Sequence, residues 1–218
     1  MTRKGPGRLH VITDETVQDR WTHVELARLA ARGGADVVQF RDKHLHSVDK
    51  LLLLLGQLRE ALREYGTRLI VNDHVELAAR VGADGVHLGP SDLSPALARE
   101  HLGPDVLIGA TVHNLEDARR AAGQPVDYVG VGPVFGTASK RNPAPVLGLK
   151  GLRAIVTEID LPVIAIGNIG PDRLPEVLHT GAHGVAVLSD VVCAPDPAAR
   201  TAELVEILSR AAAQPVSG

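Results

Sequence analysis

Four stretches of this 218-residue chain repeat one local pattern: GGADVVQF (33–40), VGADGVHL (81–88), QPVDYVGV (124–131) and TGAHGVAV (180–187). In each, a glycine or its equivalent closes a helix, a small turn follows, and an apolar run begins. Glycine just past a helix takes the left-handed conformation without a steric penalty. A short Val-rich run after it reads as a strand buried on both faces. Runs of the same kind lie between the repeats: LHVITD (9–14), RLIVND (68–73), VLIGAT (106–111) and LPVIAIG (161–167). That makes eight candidate strands.

Amphipathic segments alternate with them: VELARLAAR, VDKLLLLLGQLREALREYG, VELAARV, PALAREHL, LEDARRAA, GLRAIVTEI, DRLPEVLHT and AARTAELVEILSRAAA. Each has apolar residues at helical spacing and charges on the other face. Strict alternation of strand and helix implies a parallel sheet. Eight units in a chain of this length most simply close into a single (β/α)8 TIM barrel. An open doubly wound sheet usually carries fewer strands and a glycine-rich first turn, which LHVITDETVQ lacks. The chain therefore reads as one barrel domain over 1–218, with loose ends at about 1–7 and 212–218.

Composition removes several function classes. The net charge of −3, from 23 basic and 26 acidic residues, argues against a general nucleic-acid binder. Only 2% of residues are aromatic, too few for a base-stacking platform. A lone Cys193 leaves neither an internal disulfide nor a cysteine metal cluster. The run LLLLL (51–55) is far shorter than the roughly 20 residues of a membrane span and reads as the core face of a helix. The basic start MTRKGPGR is followed too soon by LHVITD for a signal peptide. The expectation is a cytoplasmic protein that binds neither membrane nor nucleic acid.

In a barrel the informative positions are the strand ends, because active sites open on that face. Strand 2 ends in Gln39, Arg41 and Lys43, which share a face because strand residues alternate. Strand 3 ends in Asn72 and Asp73, strand 4 in His87 with Asp92 in its loop, and strand 5 in Thr111 with His113 behind it. Strand 6 runs into Thr137, Ser139 and Lys140, strand 7 into Gly167 and Asn168, and strand 8 into Leu188 and Ser189. Taken singly, each has a plain structural explanation. A cation after a strand is ordinarily solvated, His10, His87 and His113 read first as packed histidines, and Asp73 suits a helix cap. Their convergence on one face is what points to chemistry. Arg41, Lys43 and Lys140 can neutralise a multiply charged anion. Asp73 and Asp92 suit Mg²⁺, which takes one or two carboxylates plus phosphate oxygens and water. The loops GNIG and LSD fall where barrels commonly hold a second phosphate. Two anion sites suggest two phosphorylated substrates.

The motifs VVQFRDK (37–43), VNDHVELAARVGADGVHLGPSDL (71–93), IGATVHN (108–114), VGVGPVFGTASK (129–140), LGLKGL (147–152), VIAIGNI (163–169) and GVAVLSDV (184–191) together resemble the thiamine phosphate synthase family over nearly the whole chain. The resemblance implies a transferase of thiamine biosynthesis that joins hydroxymethylpyrimidine diphosphate to a thiazole phosphate and releases diphosphate. It implies that Gln39, Phe40, Arg41, Asp42, Lys43, Asn72, Thr111 and Lys140 bind the pyrimidine diphosphate. Arg41, Lys43 and Lys140 would be the catalytic cations, and Asp73 and Asp92 the Mg²⁺ ligands. Thr137, Ala138, Ser139, Gly167, Asn168, Leu188 and Ser189 would hold the thiazole phosphate. This chain departs from the family's usual pattern at four places: Gly167-Asn168 for Gly-Gly, Thr111 for Ser, Pro90-Ser91 for Gln-Glu, and Asp190 for Ala. An acid at 190 beside a phosphate site is unfavourable unless it points away.

Two other functions fit the same fold. A thiazole tautomerase, similar in sequence, would use His113 for proton transfer. It has no diphosphate to bind and no need of the acid pair or of Arg41 and Lys43. A non-catalytic barrel that binds phosphorylated ligands is the other.

Overall fold

A parallel strand has to be covered on both faces, and side-chain parity along these strands supplies both covers. A computed structural model describes residues 5–42, 47–136 and 144–213. The strands are β1 (Leu9–Thr13), β2 (Val37–Phe40), β3 (Arg68–Asn72), β4 (Gly85–Leu88), β5 (Leu107–Val112), β6 (Tyr128–Val131), β7 (Val163–Ile166) and β8 (Gly184–Val187). Each pairs in parallel with the next, and β8 closes on β1 through Leu9 and Val185. The expected (β/α)8 barrel is the observed one. Outward residues such as Val11, Val38, Val71, Val86 and Ile108 pack beneath the helices. Inward residues Ile12, Val37, Ile70, Tyr128, Ile164 and Ala186 form a second, smaller cluster in the barrel.

The repeated aspartate has a structural task at the base of the barrel. Asp36, Asp84 and Asp127, each just before an even-numbered strand, accept the backbone N–H of Leu9, Leu69 and Ile108 on the preceding strand at 2.8–2.9 Å. Each satisfies a donor at the start of a buried strand, which would be costly to leave unpaired. The fourth repeat carries His183 instead.

The helices are α1 (His23–Arg32), α2 (Val48–Arg63), α3 (Val75–Val81), α4 (Pro95–Leu102), α5 (Leu115–Ala122), α6 (Gly148–Glu158), α7 (Leu174–Leu178), α8 (Ser189–Val192) and α9 (Pro197–Ala213). Thr22 and Glu25 form a reciprocal capping box on α1, and Asn114 caps α5. The leucine run lies in α2. Leu51, Leu55, Leu58 and Leu62 are buried on one face, while Leu53 is 66% exposed, since five consecutive helical residues cannot all face inward. Burying each such leucine contributes about 2 kcal/mol. Several boundaries differ from the sequence expectation: α2 ends at Arg63 rather than at Gly66, and α7 is confined to Leu174–Leu178. Helix α6 begins at Gly148, three residues before GLRAIVTEI, and the short α8 was not anticipated, because SDVV is too brief to show helical periodicity.

The described part of the first expected loose end is held in place. Pro6 is buried and its carbonyl accepts from His10 Nε2 at 2.9 Å, while Arg68 donates to the Gly5 carbonyl at 2.6 Å. At the other end α9 runs on through Ala213. Among the described residues no helix is long and apolar enough to cross a membrane.

Candidate active site

At the carboxyl end of the strands the barrel opens into a cavity of about 600 Å³. Parity decides who reaches it. Inward Gln39 and Arg41 line it, as do Asn72 at the end of β3, Asp73 just after it, Asp92 in the loop after β4, and Thr111 on β5. On the opposite side the lining comes from Gly167, Asn168, Leu188 and Ser189, after β7 and β8. Phe40 has the other parity and does not line the cavity. It is 1% exposed and packs edge-on against the His23 ring, with centroids 4.7 Å apart. Any contact it makes with a ligand in the cavity is therefore through its backbone. Asp42 likewise is absent from the lining. Lys43, Thr137, Ala138, Ser139 and Lys140 lie outside the described residues.

The β2–β5 side is built from side chains that other side chains hold. Arg41 is ion-paired through Nη1 with Asp14, a carboxylate with no exposure at all. The other Asp14 oxygen accepts the Thr16 hydroxyl at 2.5 Å and the Thr16 N–H at 2.9 Å. Burial draws the Arg41 guanidinium below its usual range and nearby Asp73 opposes this. A guanidinium stays protonated in proteins regardless. Asp73 has a left-handed backbone, φ 66°, and its N–H donates to the His87 carbonyl at 2.9 Å. It is not the cap of α3; His74 stands at that position. Asp92 accepts the Gly89 N–H at 2.6 Å, which sets the turn that carries it.

Beneath these acids lies a polar floor. His87 Nε2 is 3.0 Å from the Thr111 hydroxyl and Nδ1 is 3.2 Å from the Tyr128 hydroxyl. The imidazole fits only because Gly109 and Gly130 face it. A Cβ on Gly109 would stand 2.6 Å from His87 Nδ1 and 2.2 Å from the Tyr128 ring, and one on Gly130 2.7 Å from His87 Cε1. His10 packs edge-on to Tyr128 at 5.3 Å between centroids, and burial lowers its pKa to about 3, so it is a neutral donor to the Pro6 carbonyl. Thus His10 and His87 are packed, hydrogen-bonded histidines, while His113 lines the cavity with Nδ1 3.7 Å from Asp117.

The β7–β8 side is mostly backbone. Gly167 has φ 119°, and a Cβ there would meet Val134 N at 2.7 Å and Pro133 Cα at 2.8 Å. Asn168 follows at φ 53°, in the left-handed region that asparagine tolerates better than most residues. The Phe135 N–H donates to the Gly167 carbonyl at 3.2 Å, joining the loops after β6 and β7. Ser189 begins the short α8, and Asp190 beside it also lines the cavity. Asp190 Oδ1 lies 3.4 Å from Arg200 on α9, a partial answer to the acid at this position. Burial nevertheless raises the Asp190 pKa. Arg200 counters that, while Glu203 and Asp172 add to it.

Three contributors escaped the sequence reading. Asp14 stands inside the quoted LHVITD, yet nothing in its spacing marks it as the partner of Arg41. Tyr128 opens β6 and reads as core. Arg173 sits in the turn before α7, beyond the strand-end positions, and lines the cavity.

Among known proteins the chain is most informatively compared with the following relatives. A sequence model described as thiamine monophosphate synthase matches residues 9–191. The chain is 47% identical over 199 residues to the thiamine-phosphate synthase of Salinibacter ruber, covering 91% of this chain and 87% of that one. It is 44% identical over 206 residues to the thiamine-phosphate synthase of Methanoculleus marisnigri, covering 94% and 97%. Among solved structures, thiamine phosphate pyrophosphorylase from Pyrococcus furiosus superposes with a TM-score of 0.85 at 41% identity, covering 94% of this chain and 96% of that chain.

Proposed function

The chain belongs to the thiamine monophosphate synthase family, and from that premise we propose that its barrel mouth joins hydroxymethylpyrimidine diphosphate to thiazole phosphate, giving thiamine phosphate and diphosphate. One observation carries the assignment of roles within the mouth. A single cavity has Arg41, Asp73 and Asp92 at its β2–β4 side, and at its β7–β8 side positive-φ backbone at Gly167 and Asn168 with Ser189, where Arg173 stands among Asp172 and Asp190. That division suits two anions of different kinds in one chamber.

The bond between the pyrimidine methylene and the diphosphate oxygen breaks, and its electron pair leaves with diphosphate. The thiazole nitrogen lone pair then forms the new C–N bond, leaving a thiazolium cation. No covalent protein intermediate is needed. Arg41, with Lys43 and Lys140, faces the negative charge that develops on the leaving group, and fixed charges of this sort lower such barriers without reorganising. Gln39, Asn72 and Thr111 hold the pyrimidine end. The His87–Thr111 contact fixes the threonine hydroxyl. The backbone at Gly167 and Asn168, with Leu188 and Ser189, holds the thiazole phosphate, joined by Thr137, Ala138 and Ser139. Positioning the nitrogen in line supplies much of the remaining acceleration.

Asp73 and Asp92 would hold Mg²⁺. Both are oxygen donors lining the diphosphate side of the cavity, a donor set that suits a hard cation completed by phosphate oxygens and water. When bound, the ion neutralises charge on the diphosphate.

The test is direct. The purified protein with both substrates and Mg²⁺ should form thiamine phosphate. Lys140→Ala should nearly abolish the product, because losing a cation at developing charge costs on the order of a hundredfold in rate. His113→Ala should keep most of it, since the reaction asks no proton transfer of that residue. The reverse ordering would identify a proton-transfer enzyme acting on a thiazole.

A further inference from the structure

The turn between β7 and α7 carries a cation that the function described above does not use. Arg173 lines the cavity, and its Nη1 donates to the Asn168 carbonyl at 2.9 Å. Its guanidinium carbon stands 4.9 Å from the centre of the Phe135 ring. Phe135 in turn is bonded through its N–H to Gly167. One side chain thus touches the loop after β6 and the loop after β7. The contrast with Arg41 is informative. Arg41 is paired with a buried carboxylate, whereas Arg173 forms no ion pair among the described residues.

The local field asks for such a charge. A Cβ on Gly170 would meet Asp190 Oδ1 at 2.8 Å and Asp172 Oδ1 at 3.2 Å, so two carboxylates converge on this same turn. Arg200 reaches one of them at 3.4 Å. A phosphate entering beside these acids would be repelled unless a further cation offsets them. Guanidinium presents five N–H donors in a rigid fork. One bond to a carbonyl leaves donors for phosphate oxygens, and the aromatic face fixes the plane. The same bond steadies a non-glycine residue in a left-handed conformation, which L side chains otherwise disfavour.

We propose that Arg173 is a ligand of the phosphate of the thiazole substrate and that, through the Asn168 carbonyl, it fixes the backbone on which that phosphate rests. The inference depends on the thiazole phosphate occupying the β7–β8 side, as argued under the proposed function. It makes Arg173 a specificity determinant: the group that favours the phosphorylated thiazole over the free thiazole alcohol.

The experiment measures thiazole phosphate binding by calorimetry and KM for both substrates, in wild type, Arg173→Ala and Arg173→Lys. Arg173→Ala should weaken thiazole phosphate by on the order of tenfold to a hundredfold, the range of a charge-assisted hydrogen bond. The KM for pyrimidine diphosphate should stay within about twofold, since that ligand faces the paired Arg41. Affinity for the thiazole alcohol should not change, because it has no phosphate to lose. Lysine should recover part of the loss by keeping charge without the fork. The side chain is only partly buried, so the alanine variant should melt with the wild type. Equal thiazole phosphate affinity in wild type and Arg173→Ala overturns the proposal, as does an equal loss for phosphate and alcohol. If the wild type binds thiazole phosphate through Arg173 yet makes no thiamine phosphate, the proposed function fails and this inference stands.

Discussion

The two sides of the barrel mouth are built by different means. On the β2–β5 side, charged and polar side chains project from strand ends and are fixed from below. Arg41 rests on Asp14, Asp92 on the Gly89 N–H, and Thr111 on His87 and Tyr128. On the β7–β8 side, the lining is backbone at positive φ, stitched by Phe135 and Arg173, with Asp190 half-turned toward Arg200. The first arrangement suits a reaction that separates charge, because preplaced charges must not relax as diphosphate leaves. The second suits recognition of a phosphate that takes no part in bond breaking, where N–H groups and a few donors suffice. Stability and affinity are therefore coupled differently on the two sides. Side-chain contacts in the first half include the buried Arg41–Asp14 pair, whereas those in the second half are made by partly exposed groups, Arg173 with the Asn168 carbonyl and Asp190 with Arg200.

The sharpest way to break this comparison is Arg41→Ala set against Arg173→Ala. Removing Arg41 strands the wholly buried Asp14 carboxylate, and breaking a buried pair on one side costs about 3–5 kcal/mol. The same variant should lose on the order of a hundredfold in kcat/KM. Removing Arg173 strands no carboxylate and should leave the urea midpoint near that of the wild type. Equal midpoints for the two variants would erase the distinction.

How far the sequence alone revealed each half follows from the same contrast. The eight units were legible because short Val-rich apolar runs after glycine turns mark the strands and a 3.6-residue period marks the helices. Gln39, Arg41, Asn72, Asp73 and Thr111 were legible because a polar residue at the end of an apolar run marks itself, and Asp92 because it follows such an end in the loop after β4. The parity that placed Gln39 and Arg41 inside also required Phe40 to point out toward His23, so counting it among the ligand contacts held at most for its backbone. Asp14 was hidden because a burial partner is set by the pairing of β1 with β2, not by local spacing. Arg173 was hidden because its role depends on where the turn before α7 folds back. The strain at Gly167 and Asn168 shows only as residue types that tolerate positive φ. The close approach of Pro133 and Val134 is a tertiary fact.

A second, smaller effect is expected on the backbone-built side. Gly167→Ala would place a Cβ 2.7 Å from Val134 N at φ 119°. Strain of this kind costs on the order of 1–3 kcal/mol. The KM for thiazole phosphate should rise by about tenfold or more as the loop shifts. Steady-state kinetics with each substrate varied in turn would check it. A rise confined to the pyrimidine diphosphate would reverse the assignment of the two halves.

The smallest effect concerns Asp190. Its raised pKa means that the native state holds a proton more firmly than the unfolded chain. Stability from this group is therefore present below the ordinary aspartate value of 3.8 and is lost as pH rises through the folded pKa. Asp190→Asn should flatten that loss, seen as a smaller fall in melting temperature on going from acid to neutral pH. At neutral pH it should also lower the KM for thiazole phosphate by about twofold, the scale of a partly exposed charge contact. A higher KM in the variant would show that the acid assists binding.

Central to the account is that one cavity holds two anions on two differently made sides. The most direct measurement titrates Mg²⁺-diphosphate and thiazole phosphate separately, by calorimetry, into wild type, Asp92→Asn and Gly167→Ala. The account predicts a crossed result. Asp92→Asn should weaken Mg²⁺-diphosphate by on the order of tenfold or more and leave thiazole phosphate unchanged, while Gly167→Ala does the opposite. Both ligands weakened alike in each variant would contradict it, because a single shared anion site would then explain the cavity.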